Sequence, residues 1–287
     1  MRNRSVFGAI VLAIALVATG CAWPYLNSPT GTPPVRYSQD VFSTVTKTAD
    51  ITYGSAVNAE HVTVQLTLDM YAPAGDIATR RPAIVWVHGG AFCCGDKTSG
   101  EIVDEANVFA KKGFVNVSIN YRLEPGGCSA AGPTPACITA INEAREDAQT
   151  AVKWLRTNAA TYRIDTNRIA IAGTSAGAIT ALDVGYDSAE VPAARVRAAV
   201  SLSGANLLTK PNKGDAPALL FHGTADPLVP YQWAFNTVAR AKAAGLDVWI
   251  TTWFGAGHVP YAQHRTEILD QTRNFLWGEM DLKNAAK

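Results

Sequence analysis

The sequence predicts an α/β domain with a mostly parallel sheet and helices on both faces. Three observations carry this. Short apolar runs recur at residues 83–87 (AIVWV), 114–119 (FVNVSI), 169–172 (IAIA), 198–202 (AAVSL), 217–221 (PALLF) and 248–254 (VWITTWF), the pattern of strands covered on both sides. Between them, Ile141, Ala144, Ala148, Ala151, Val152 and Leu155 recur at helical spacing, which gives an amphipathic helix. Strands and helices then alternate from Ala83 to Trp277 without a linker-like break, so the 287 residues read as one main domain.

The chain opens with Arg2 and Arg4 before an apolar run from Val6 to Ala18. That run is shorter than the roughly 20 residues of a spanning helix and suits a secretory signal over residues 1–20. It ends in LVATGC, which resembles the bacterial lipobox and makes Cys21 the expected lipidated first residue of the mature chain. Ala18 stands where leucine is usual, and secretion without lipid is the alternative. Residues 22–35 contain proline and glycine and suit a tether, so the expected organisation is signal 1–20, lipidated Cys21 and tether 21–47, and domain 48–287.

The strand at 83–87 ends in His88-Gly89-Gly90-Ala91-Phe92, where small residues let backbone N–H groups face a ligand. The strand at 169–172 runs into Gly173-Thr174-Ser175-Ala176-Gly177, and residues 176–182 read as a helix. A serine at such a strand-to-helix turn is held in a strained conformation with its oxygen exposed, and the flanking glycines leave room for the turn. By itself the pattern also fits a helix N-cap serine. The strand at 217–221 runs into His222-Gly223-Thr224-Ala225-Asp226-Pro227, and that at 248–254 into Gly255-Ala256-Gly257-His258. Ile268, Leu269, Thr272, Phe275 and Leu276 suggest a final helix.

Ser175, Asp226 and His258 thus follow one another in chain order, each just past a strand. A serine hydroxyl is a weak nucleophile at neutral pH, so a neutral imidazole must take its proton and later pass it to the leaving group. A carboxylate orients that imidazole and stabilises its charged form. The negative oxygen of the tetrahedral intermediate needs its own donors, here assigned to the amides of Gly90, Ala91 and Ala176.

From about Leu66 to Trp277 the chain resembles the α/β-hydrolase esterases of the hormone-sensitive-lipase and carboxylesterase type. The matching motifs are residues 88–92 (HGGAF), 120–123 (NYRL), 173–177 (GTSAG), 222–227 (HGTADP) and 257–258 (GH). The resemblance implies the α/β-hydrolase fold and the roles of nucleophile, acid and base for Ser175, Asp226 and His258. It also implies an oxyanion loop at Gly90 and Ala91, with alanine where the commoner loop has a third glycine. Residues 203–216 leave no room for the helical cap that many relatives carry, so an open, shallow site is expected, with Phe92, Tyr121 and Tyr261 as candidate walls.

A net charge of +1 with mixed signs gives no footprint for nucleic acid. No histidine pair has metal-ligand spacing, and neither a metal nor a cofactor is expected; His61 and His264 read as surface residues. Beyond Cys21 four cysteines remain, Cys93, Cys94, Cys128 and Cys137, which allow three pairings. Adjacent cysteines rarely bridge, and a Cys128 to Cys137 bridge is favoured over free buried thiols. The expected partners are a small-molecule ester substrate and, through the lipid anchor, a membrane. The leading reading is a serine carboxylic-ester hydrolase; a serine peptidase or amidase and a non-catalytic binding protein are the alternatives.

Overall fold

The computed structural model describes residues 27–129 and 132–285. Strands β1 (Val45–Val57), β2 (Thr63–Pro73), β3 (Arg81–Val87), β4 (Val115–Ile119), β5 (Ile164–Thr174), β6 (Ala198–Leu202), β7 (Ala218–Gly223) and β8 (Val248–Trp253) form one sheet. Their order is β1-β2-β4-β3-β5-β6-β7-β8. From β4 to β8 every neighbouring pair is parallel, while β1 and β2 are added antiparallel at one edge. This is the mostly parallel α/β-hydrolase sheet that the sequence predicts.

Alternation along a strand sends side chains to opposite faces, and β3 shows how this builds two cores. Ala83, Val85 and Val87 face the cluster under α2 (Pro135–Thr157), α4 (Ala176–Gly185) and α5 (Tyr231–Ala243). Ile84 and Trp86 face the cluster under α1 (Gly100–Lys111) and α6 (Tyr261–Glu279). Two short helices, α3 (Ala159–Tyr162) and α7 (Leu282–Ala285), complete the set. Each large side chain buried this way stabilises the fold by roughly 1.5–3 kcal/mol relative to exposure. Trp86 keeps its indole N–H satisfied on Asn116 Oδ1 at 2.9 Å.

The periodic segment of residues 141–155 lies within α2, which starts earlier because Thr134 caps it, accepting from the Cys137 amide, and Pro135 occupies the first turn. Ile268, Leu269, Thr272, Phe275 and Leu276 are all buried on α6. Arg122, from the NYRL motif, is a structural tie. Its buried guanidinium binds Asp147 and Glu146 of α2 and donates to the Val57 carbonyl at the end of β1.

Two expectations change. The antiparallel edge was not among the predicted strands, although Val64, Leu66, Leu68 and Met70 alternate along β2. Strand β1 gives a weak signal because most of it faces solvent. The boundary between tether and domain also moves: residue 48 lies inside β1, and residues 27–47 are docked on the fold. The Ser28 amide donates to Asn274 Oδ1 at 2.9 Å, Arg36 pairs with Asp76, and buried Tyr37 meets Phe114 edge-on at 5.3 Å between centroids. Proline and glycine content alone suggested a linker, and the buried Tyr37 outweighs it. Cys21 and the signal segment lie outside the described residues.

Candidate active site

The strand ends bring the candidate residues to one rim of the sheet. Ser175 follows β5 directly and opens α4 with φ 54° and ψ −118°, a conformation rare for a residue with a Cβ. The turn is tight on both sides. A Cβ on Gly173 would stand 2.4 Å from the Gly177 carbonyl oxygen, and one on Gly177 would stand 2.0 Å from the Val87 oxygen. Only glycine fits either position, and the strain at Ser175 is held by its amide donating to Leu202 O at 2.9 Å.

His258 lies between Ser175 and Asp226. Its Nδ1 is 2.8 Å from Asp226 Oδ2 and its Nε2 is 2.7 Å from Ser175 Oγ. With the ring neutral, Nδ1–H donates to the carboxylate and Nε2 accepts the serine hydroxyl proton. Asp226 is buried, and its Oδ1 accepts from the amides of Leu228 and Val229 at 2.9 and 3.0 Å. A second imidazole, His222, places Nε2 at 3.2 Å from Asp226 Oδ2 and 2.9 Å from the Val229 carbonyl. Burial by itself pushes the Asp226 carboxyl up; hydrogen bonds from His222, His258 and the two amides outweigh it and hold the group well below the usual carboxylate range.

Gly90, Ala91 and Ala176 all border the same cavity as Ser175 and His258. The loop carrying the first two is wound left-handed, with φ 120° at Gly90, 51° at Ala91 and 62° at Phe92. The strained carbonyls are tied from outside: Cys128 N donates to Ala91 O at 2.8 Å and Glu124 N to Phe92 O at 2.9 Å. Among the described residues no backbone acceptor takes the Gly90 or Ala91 amide. His88 braces the loop from below, with Nδ1 at 2.6 Å from the Gly89 carbonyl and its ring stacked on Tyr121. Burial pushes the His88 imidazole below its ordinary value, which keeps it a neutral spacer.

The cavity measures about 820 Å³ and is walled by Phe92, Ile141, Ile179, Leu207, Leu228 and Trp233 among others. Residues 203–217 carry no helix, in keeping with the absent cap. The expected open site did not include Cys128, Ser129, Gly132, Pro133 and Cys137, which line the cavity beside the Cys128–Cys137 disulfide. Of the three candidate wall aromatics only Phe92 borders the cavity. Tyr121 is buried beneath the loop, donating to His88 O at 3.0 Å, and Tyr261 turns away to Asp104 at 2.6 Å. His264 is half-buried and stacked on Trp253, so it is a packing residue and not a free surface one; His61 is exposed.

Two positioning residues were missed in the sequence. In the sequence His222 stands only as part of the HGTADP motif, and its position four residues before Asp226 is the available signal. Ser203 is fully buried with φ 59°, and its Oγ accepts from the Val259 amide at 3.0 Å, fixing the turn that carries His258. A lone serine after a strand carries no such message.

Comparison with known proteins agrees with this architecture. A family model described as BD-FAE matches residues 68–196, and one described as Phospholipase/Carboxylesterase matches residues 139–273. The chain is similar to a phenmedipham hydrolase of Pseudarthrobacter oxydans, 38% identical over 116 residues, which is 39% of this chain and 21% of that protein. It is also similar to a para-nitrobenzyl esterase of Bacillus subtilis, 30% identical over 122 residues, or 40% and 23% of the two chains. The matched region thus spans about a fifth of the length of these curated relatives. Among solved structures, Thermogutta terrifontis esterase 2 with propionate bound superposes with a TM-score of 0.64 at 23% identity, covering 86% of this chain and 96% of that one.

Proposed function

We propose that this chain, an α/β-hydrolase by fold and motif, is a serine carboxylic-ester hydrolase working through an acyl-enzyme on small, short-acyl esters. The observation that carries the proposal is the unbroken chain of hydrogen bonds from Ser175 through His258 to Asp226 on the wall of the cavity. Ser175 Oγ attacks the ester carbonyl while its proton passes to His258 Nε2, and the imidazolium is stabilised by Asp226. The developing oxyanion is received by the amides of Gly90, Ala91 and Ala176, each such donor being worth about two to three powers of ten in turnover. His258 then protonates the leaving alcohol, and water, activated by the same ring, releases the acid.

The preference for short acyl groups rests on the lack of a cap. Each methylene left in water forfeits roughly 0.8 kcal/mol of burial, and no helix between β6 and β7 covers a long chain. The structural neighbour solved with propionate bound, and again with butyrate bound, is in keeping with acids of that size. We expect kcat/KM over p-nitrophenyl esters from acetate to palmitate to peak between acetate and butyrate. A maximum at long chains or activation at an interface would overturn the short-acyl preference and point to a lid built by the N-terminal segment or the Cys128 to Cys137 loop.

The same proposal places the enzyme outside the cytoplasm, anchored through Cys21. Several acyl chains on one cysteine would hold a protein far more firmly than one. Cells producing the full chain should carry it in the membrane fraction, and Cys21→Ser should release it or block its maturation. An unmodified mature N-terminus in the intact mass would rule out the anchor and leave the chemistry standing.

A further inference from the structure

Cys93 and Cys94 stand at the mouth of the cavity, directly after the loop assigned to the oxyanion, with their Sγ atoms 2.9 Å apart. Both are free thiols, Cys94 exposed and Cys93 half-buried. Their backbone is welded to that loop: the amides of both residues donate to the Gly90 carbonyl at 3.0 Å. The Cys94 carbonyl is packed so closely over Gly90 that a Cβ there would stand 2.0 Å from its oxygen. No slack exists between the dithiol turn and Gly90.

Resting on the hydrolase reading above, we propose that Cys93 and Cys94 form a modification site at which a small disulfide of the glutathione type closes a vicinal disulfide and displaces the Gly90 amide. The exposed Cys94 thiolate attacks one sulfur of the donor, its S–S bond breaks, and one glutathione thiolate leaves. Cys93 thiolate then attacks the Cys94 sulfur of the mixed disulfide and expels the second glutathione. The two protein thiols are oxidised by two electrons, the donor disulfide is reduced to two thiols, and the two protons pass to the departing thiolates.

Closure demands backbone movement. The sulfurs must approach from 2.9 Å to about 2.05 Å. Meanwhile the Cα atoms across a trans peptide stand only about 3.8 Å apart, inside the roughly 4.4 Å lower bound of ordinary bridges. The intervening peptide therefore turns, and because its N–H, on Cys94, donates to the Gly90 carbonyl at 3.0 Å, the turn is passed to the oxyanion loop. Losing an oxyanion donor acts on the transition state and so lowers kcat more than it changes KM.

The test uses the full chain, treated with oxidised glutathione and then with excess reduced glutathione. Peptide mapping follows Cys21, the Cys93–Cys94 peptide and the Cys128–Cys137 bridge separately. We expect the Cys93–Cys94 peptide to lose two hydrogens, kcat to fall by about tenfold or more with a much smaller change in KM, and amide exchange over residues 89–95 to rise, all reversibly. In Cys94→Ser or Cys93→Ser, each compared with its own untreated state, ring closure and the fall in kcat should both vanish. If one variant fails to fold, the other carries the comparison. Persistent glutathione adducts without ring closure, thiols that resist oxidation, or a closed ring with unchanged exchange would each overturn the proposal. Amide exchange needs no substrate, so a chain without ester hydrolysis would defeat the hydrolase reading while the ring and its effect on the loop were still read.

Discussion

Ser175→Ala is expected to lower turnover of p-nitrophenyl acetate by about a million-fold, and His258→Ala to do the same, because members of such a relay act as one unit. The expectation follows from the two short bonds at His258, 2.7 Å to the serine and 2.8 Å to the aspartate. Removing either partner leaves no route for the proton. The fold should persist in both variants, since Ser175→Ala deletes one oxygen from a turn whose backbone is held by Gly173, Gly177 and the Leu202 carbonyl. Covalent labelling by a fluorophosphonate should be abolished in Ser175→Ala, with the thermal midpoint within a few degrees of the parent. Retention of even a hundredth of the parent turnover would transfer the nucleophile to another group.

Asp226→Asn is expected to cost about four powers of ten in kcat, roughly 5.5 kcal/mol of transition-state stabilisation. The reason lies in the donors around the carboxylate. Oδ1 takes the amides of Leu228 and Val229, so an asparagine oxygen must occupy that position and its NH₂ must face the Nδ1 of His258 and the Nε2 of His222. Two donors then meet. His258 is driven to the other tautomer, Nε2 becomes a donor towards Ser175, and the base is lost without any loss of shape. A fall of less than tenfold would show that Asp226 does not set the ring's tautomer.

The same substitution changes stability in acid. Asp226 is held below the ordinary carboxylate range in the fold, so the stability it contributes is complete above its unfolded value of about 3.9 and is lost as pH falls towards the folded one. Asp226→Asn lacks that loss, and its stability should fall less steeply between about pH 4 and lower values.

The convergence of Ser175, Asp226 and His258 was legible in the sequence because each belongs to a local pattern. An apolar run names a buried strand, and the residue just beyond it is placed at the carboxyl end of the sheet whatever the rest of the chain does. Ser175, Asp226 and His258 each follow such a run, and parallel strands with helical crossovers put all such ends on one rim. The glycines of the serine turn carried their own signal, since only a residue without Cβ passes the Val87 carbonyl. The sequence favours a Cys128–Cys137 bridge but leaves the pairing of Cys93 and Cys94 open; in the fold the first two are bonded and the other two are free thiols.

Other features were decided only by the folded arrangement. Phe92 follows β3 and Tyr121 follows β4, both just past strand ends, yet Tyr121 lies beneath the Gly90–Ala91 loop against His88 while Phe92 borders the cavity, and no periodicity in a short loop says which. Strand β1 is polar because it is an edge, so its pairing with β2 becomes visible only once β2 is in place. Tyr37 and Ser28 turn an apparent tether into a docked segment through contacts with Phe114 and Asn274, far along the chain. His222 and Ser203 acquire their roles from atoms that the fold brings within 3.2 and 3.0 Å. Local backbone preference and strand patterning act over a few neighbours and are written in the residues themselves, whereas hydrogen bonds between distant segments depend on distances that exist only after the sheet has assembled.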